Sequence, residues 1–174
     1  MIIVLYMLDI YRLGDEVLYA PTVKVTKFDG ALRMLVDAMF ETMDEADGVG
    51  LAGPQVGVSQ RLFVVDDRQG NRLCFINPEI IGTGVEMGPY EEGCLSLPGV
   101  YHTVIRPLEV TVQAQDVNGK AFTVNASGLL ARIIQHENDH LHEKLFIDRL
   151  SPEDREMMVR VYERRNKTKR RKGK

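Results

Sequence analysis

Apolar side chains recur at helical spacing between Asp29 and Ala46, at Leu32, Leu35, Val36, Met39, Phe40 and Met43. Asp29 is placed to cap that helix, and Gly48 closes the pattern. The period then changes. Leu62 to Val65 and Leu73 to Ile76 are strand-length apolar runs on either side of the turn sequence Asp67-Arg68-Gln69-Gly70-Asn71. Leu108 to Ala114 alternates, with Val110 and Val112 between polar neighbours, and Asn118-Gly119 turns the chain into a partner run, Ala121 to Val124. Helical period returns from Ser127 to about Glu143. A last helix starts at Ser151, with Pro152 in its first position and Glu153 and Asp154 in its first turn. Strands gathered in the middle and flanked by helices predict an α+β domain. No internal repeat or linker divides the chain.

The helix after Ser127 mixes apolar and titratable residues. Leu130, Ile133, Ile134, Glu137, His140 and Leu141 share one stripe, so Glu137 and His140 are expected to turn toward the core. A buried carboxylate and imidazole are costly unless they are paired or bound to a metal. His136-Glu137-Asn138-Asp139-His140 is the pattern H-E-x-x-H, whose imidazoles stand about one helical turn apart on one face. Glu137 is then close enough to reach a water on a shared metal.

Two histidines leave a site one protein ligand short. The residues offer more than one way to supply it. Glu156 and Glu163 would complete a protease-like zinc site, and both fall in the last helix. Upstream, Cys94 lies in Glu91-Glu92-Gly93-Cys94-Leu95-Ser96-Leu97-Pro98, next to glycine and shortly before a proline. The run from Gly48 to Gly57 has the glycines of a phosphate loop but not its Lys-Ser/Thr. Glycines there suit close approach of a ligand to the backbone. Gln55 offers an amide donor to a developing oxyanion.

Composition narrows the setting. A chain of 174 residues with 44% apolar side chains can bury a core as one domain. Two cysteines, Cys74 and Cys94, make no disulfide framework. The opening run Met1 to Met7 is apolar but lacks a basic leader and a cleavage site, and it is too short to span a bilayer. It reads as the lead-in to a strand or as an added start, with Met7 an alternative initiator. With no later membrane segment, the cytoplasm is the expected location. The net charge of −3 hides an asymmetry. From Arg160 onward nearly every charged residue is Lys or Arg, with Glu163 the exception, so a basic tail follows an acidic body. Such a tail suits a polyanion, although charge alone suits a solvated terminus equally well.

Taken together, Gly48-Val49-Gly50-Leu51-Ala52-Gly53-Pro54-Gln55, Glu92-Gly93-Cys94-Leu95-Ser96-Leu97-Pro98 and Gln135-His136-Glu137-Asn138-Asp139-His140 resemble the three motifs of peptide deformylases, in the same order and spacing. The likeness runs from about Leu8 to Leu150 and includes Arg106-Pro107 and Leu145-Phe146-Ile147-Asp148-Arg149. It implies an α+β fold in which mixed antiparallel β-sheets pack around a central metal-binding helix, with N-terminal and C-terminal helices. The chain is expected to form one catalytic domain over residues 1–165, followed by a basic tail over 166–174. The activity the likeness implies is removal of the formyl group from the N-terminal methionine of new chains, releasing formate.

By the same resemblance, Cys94, His136 and His140 are the metal ligands and Glu137 the catalytic acid and base. The Gln55 side chain and the Leu95 backbone N–H would form the oxyanion hole. Gly50 would contact the substrate backbone. A small apolar pocket of Val49, Leu129 and Ile133 is expected, as a hypothesis beyond the resemblance, to receive the methionine side chain. The implied cofactor is one divalent ion. Ferrous iron is expected in the cell, and zinc, nickel or cobalt in purified protein. The implied partners are formyl-methionyl nascent peptides and the ribosome, with the basic tail against ribosomal RNA and no membrane. The chain departs from the family pattern at Gly53, where alanine is usual, at Asn138, where an apolar residue is usual, and at Glu143, which replaces a common glycine. Tyr101 and Arg132 border the expected peptide groove.

Overall fold

The computed structural model describes residues 7–172, with side chains as far as residue 167. The run Met1 to Tyr6, read above as a strand lead-in, lies outside the described residues.

Helix α1 (Gly30–Glu45) forms where the apolar period placed it, and the Asp29 Oδ1 accepts from the Leu32 N–H at 3.1 Å. Its end differs from expectation. Asp47, at φ 54°, takes the left-handed position, and the Gly48 N–H returns to the Met43 carbonyl at 2.8 Å. The glycine-rich run is not all loop. Strand β1 (Gly50–Ala52) pairs antiparallel with β2 (Leu62–Asp66). Three residues are too few to show a period in sequence, and pairing with β2 is what makes them a strand.

Beyond the turn at 67–71, β3 (Arg72–Thr83) runs further than the apolar stretch Leu73 to Ile76 suggested. A hairpin of β4 (Met87–Cys94) and β5 (Leu97–Pro107) follows as a separate two-stranded sheet. Its glycines, prolines and acids hid it from a propensity reading. Strands β6 (Glu109–Gln115) and β7 (Ala121–Ser127) form the expected hairpin, with Gly119 at φ 80° in the turn. The larger sheet has the order β1-β2-β3-β6-β7, and all its pairings are antiparallel.

Helix α2 (Gly128–His140) is shorter than its period suggested. The Lys144 N–H turns back to the Asp139 carbonyl at 3.0 Å, and Glu143 adopts φ 57°. That is the conformation the usual glycine would take at no cost. Helix α3 (Pro152–Lys172) is capped by the Ser151 hydroxyl, which accepts from the Asp154 N–H at 3.1 Å. It runs through the expected boundary near residue 165, so the basic segment continues a helix as far as residue 172.

Strand alternation explains how the layers meet. Phe63 and Val65 of β2 turn toward α2, where they join Phe75, Val112, Ile133 and Ile134. Leu62 and Val64 turn to the other face and join Leu32, Val36, Met39 and Met43 of α1. Each fully buried side chain of this size contributes roughly 1.5–3 kcal/mol. A third cluster, including Leu97, Val104, Phe146 and Met158, fastens β5 and α3 to the turn after α2. The helix that carries the histidines is therefore clamped between the main sheet and the β4–β5 hairpin.

Candidate metal centre and its cleft

Alternation along β4 puts Glu92 and Cys94 on one face, and helical spacing puts His136 and His140 on the facing stripe of α2. The Cys94 Sγ lies 3.5 Å from the His140 Nε2. The donor atoms of Cys94, His136 and His140 all lie within 4.8 Å of one another, close enough to converge on a single ion. Glu92 Oε2 meets His136 Nδ1 at 3.0 Å, which leaves the Nε2 of that ring for the centre.

The groups around the centre are strongly perturbed. Burial pushes the Cys94 thiol up, but His140 and His136 outweigh it and hold the thiol well below its ordinary value. Burial pushes His136 down, but its contacts with Cys94 and Glu92 raise it well above an ordinary imidazole. Burial also raises Glu92, yet hydrogen bonds from Arg106 and His136 bring it far below a normal carboxylate. Glu137, 4% exposed, is pushed up to about 7 by burial, against the pull of His136 and His140. Its Oε2 and the Nδ1 of His140 are buried without a hydrogen-bond partner. A carboxyl poised near neutrality beside a thiolate and two imidazoles fits the work of a proton carrier.

Val49, Gly50, Gln55, Cys94, Leu95, Leu129, Ile133, His136 and Glu137 all line one cleft of about 630 Å³. Tyr101 and Arg132 border it as expected. His140 sits behind Cys94, fully buried. The side chain of Gln55 is fixed at both ends. Its Oε1 accepts from the Ala52 N–H at 2.9 Å, and its Nε2 donates to Ser96 Oγ at 3.2 Å while standing 3.5 Å from Cys94 Sγ. Gly50 is needed for space: a Cβ there would come within 2.7 Å of the Glu137 carboxyl carbon. Gly53 is equally constrained, since a Cβ would lie 2.8 Å from the Val58 carbonyl oxygen.

The protease-like alternative does not assemble. Glu156 is exposed on α3, where it pairs with Arg160, and Glu163 is exposed on the same helix.

Sequence reasoning missed the frame beneath the three donors. Arg106 donates to both Glu92 oxygens, at 2.7 and 2.9 Å, and to Asp139 Oδ2 at 2.7 Å. Arg149 holds the other side of Asp139. Arg106 thus ties the strand of Cys94 to the helix of the histidines. A signal was present: Glu92 is two residues from Cys94, and Asp139 lies inside the H-E-x-x-H pattern.

One thiolate and two imidazoles are the donor set of a transition metal, and three protein ligands leave a position open to water or substrate. With a buried carboxyl raised toward neutrality in the same cleft, that arrangement is the one expected of a metal-dependent hydrolase. Comparison with known proteins narrows the class. Residues 7–156 match the polypeptide deformylase family. A peptide deformylase of Prochlorococcus marinus is 46% identical over 151 residues, covering 84% of this chain and 75% of that one. One from Treponema pallidum is 46% identical over 155 residues, covering 89% and 95%. The crystal structure of a peptide deformylase from Legionella pneumophila superimposes with a TM-score of 0.90 at 43% identity, covering 95% of this chain and 99% of that chain. The chain belongs to the polypeptide deformylase family, whose members are metal-dependent hydrolases that remove the formyl group from an N-terminal methionine.

Proposed function

We propose that Cys94, His136 and His140 hold one divalent ion and that Glu137 carries the proton of the deformylation step. The observation that carries this reading is the convergence of those three donors within 4.8 Å, beside a buried carboxyl in an open cleft. A bound ion supplies positive charge that acidifies water and polarises the formyl carbonyl. Glu137 takes the proton released from water and delivers it to the nitrogen that leaves as the free α-amine. The Gln55 amide, already oriented by Ala52 and Ser96, and the Leu95 backbone N–H donate to the oxygen on which charge develops. Gly50 lets the substrate backbone approach, and Val49, Leu129 and Ile133 receive the methionine side chain.

Ferrous iron is our assignment for the ion in the cell, with zinc, nickel or cobalt able to fill the same donors in purified protein. The substrates are formyl-methionyl nascent peptides, and the proposed setting is the cytoplasm, beside the ribosome. Among the described residues no helix is long and apolar enough to cross a membrane. The basic extension from residue 166 is proposed to contact ribosomal RNA through its phosphates.

Formate release from formyl-Met-Ala-Ser by anaerobically purified protein tests the chemistry. Rapid release is expected, with no cleavage of unformylated Met-Ala-Ser. Equal hydrolysis of both peptides would contradict the reading.

A further inference from the structure

The two proposed oxyanion donors stand on different walls of the cleft. Gln55 precedes Val56, which is buried in the cluster of α1. Leu95 and Ser96 precede Leu97, which is buried in the cluster of β5 and α3. Such a pair stabilises charge only while both donors can reach the oxygen at about 2.7–3.1 Å, so the spacing of the walls matters.

The segment from Leu8 to Leu13 crosses from one wall to the other. At its start, Leu8 packs against the α1 cluster, and its N–H donates to Thr42 Oγ1 at 3.0 Å. In its middle, the Tyr11 N–H donates to the Gln55 carbonyl at 2.8 Å. At its end, the Leu13 N–H donates to the Ser96 carbonyl at 3.0 Å, and Leu13 packs against the α3 cluster. Between those two bonds, the Arg12 guanidinium donates through Nη1 to the Leu95 carbonyl. Asp15 holds Arg12 in place for that contact. Its Oδ2 accepts from the Arg12 N–H at 2.6 Å, and its N–H donates to the Arg12 carbonyl at 2.9 Å. Three consecutive residues, 11 to 13, thus bind the backbone of Gln55, Leu95 and Ser96.

We propose that residues 8–13 are a strap that fixes the spacing of the two oxyanion donors, with Arg12 the positioning residue for the Leu95 N–H. The proposal rests on the assignment of Gln55 and Leu95 to the oxyanion hole. The Leu95 carbonyl lies one peptide beyond the Leu95 N–H, so a cation that holds the first limits rotation of the second. A guanidinium, always charged, makes a stronger tie to that carbonyl than a neutral donor would. The strap binds the backbone of the donors, so loosening it weakens their grip on the developing charge and leaves ground-state binding in place.

The test is kcat and KM, per bound metal ion, of Arg12→Met, which keeps an apolar stem and removes the donor. Arg12 is exposed, so the variant is expected to fold. Its kcat should fall about tenfold with KM within about twofold of wild type, part of the loss seen when an oxyanion donor is removed outright. Arg12→Lys, which can still donate to the Leu95 carbonyl, should recover most of the kcat. The loss should be equal on formyl-Met-Ala and formyl-Met-Ala-Ser. Ile10 and Arg12 also line the cleft. A loss confined to the longer peptide, or a rise in KM alone, would therefore make Arg12 a direct substrate contact and overturn the strap. Wild-type kcat in Arg12→Met would overturn it as well. Gln55→Ala separates the strap from the assignment beneath it. If Gln55→Ala lowers kcat and Arg12→Met does not, the oxyanion hole stands and the strap falls. If Gln55→Ala leaves kcat unchanged, the oxyanion assignment falls and takes the strap with it.

Discussion

Gly50 and Glu137 share a space that admits no additional carbon. Gly50→Ala would drive the new Cβ against the Glu137 carboxylate, which has no hydrogen bond to hold Oε2 in place. A displacement of about 1 Å in such a group costs on the order of a hundredfold in rate. Gly50→Ala should lower kcat/KM on formyl-Met-Ala-Ser to that degree, and full activity in the variant would contradict the crowding. Glu143 poses the opposite case. It is exposed, at φ 57°, in a conformation that suits glycine. Glu143→Gly should stabilise the fold by about 0.5–1 kcal/mol, read from the urea midpoint, because the left-handed strain exceeds glycine's entropy cost. A lower midpoint would contradict that assignment of strain. Asn138 is a further departure with a visible cost. Its Oδ1 is buried without a hydrogen-bond partner where the family pattern carries an apolar side chain.

At the scale of elements, the centre depends on how β4 and α2 are held together. Arg106 is the tie, since it binds Glu92 on one side and Asp139 on the other. Arg106→Leu would leave Glu92 to Arg132 and Asp139 to Arg149, each buried carboxylate losing its shared cation, and should cost stability by a few kcal/mol, toward the lower end of the roughly 3–5 kcal/mol seen when a buried pair is broken. Metal affinity should fall by up to about tenfold, because Glu92, then held by Arg132 alone, orients His136 less firmly. Chemical denaturation and competition with a chelator measure the two effects, and wild-type values for both would contradict the role. The periodic elements were legible in sequence: α1, α2, the β6–β7 hairpin and the cap of α3. Strand β1 and the β4–β5 hairpin were not, because Gly48, Gly50 and Gly53, with Pro89 and Pro98, carry no alternation. Their pairing is set by distant partners such as Val65 and Arg106. His136, His140 and Cys94, which the fold brings together, were visible as motifs. The Arg106 frame was not, since its ion pairs join residues far apart in the chain.

Across the whole molecule, charge and catalysis occupy separate regions. The acidic body carries the cleft, and the Lys- and Arg-rich end of α3 lies beyond the family match, which ends at residue 156. Deleting residues 166–174 should weaken co-sedimentation with ribosomes at low salt and leave turnover of formyl-Met-Ala-Ser unchanged. Unaltered co-sedimentation would remove the RNA role from this segment. The catalytic claim is independent of that outcome and stands on the donor set. The most direct measurement is the metal content of anaerobically purified wild-type and Cys94→Ala protein, determined side by side with formate release. The wild type should carry about one ion per chain, and Cys94→Ala should lose both the ion and the activity, as expected when one of three ligands is removed. Cys94→Ala protein that kept a full complement of metal and released formate at the wild-type rate would contradict the account.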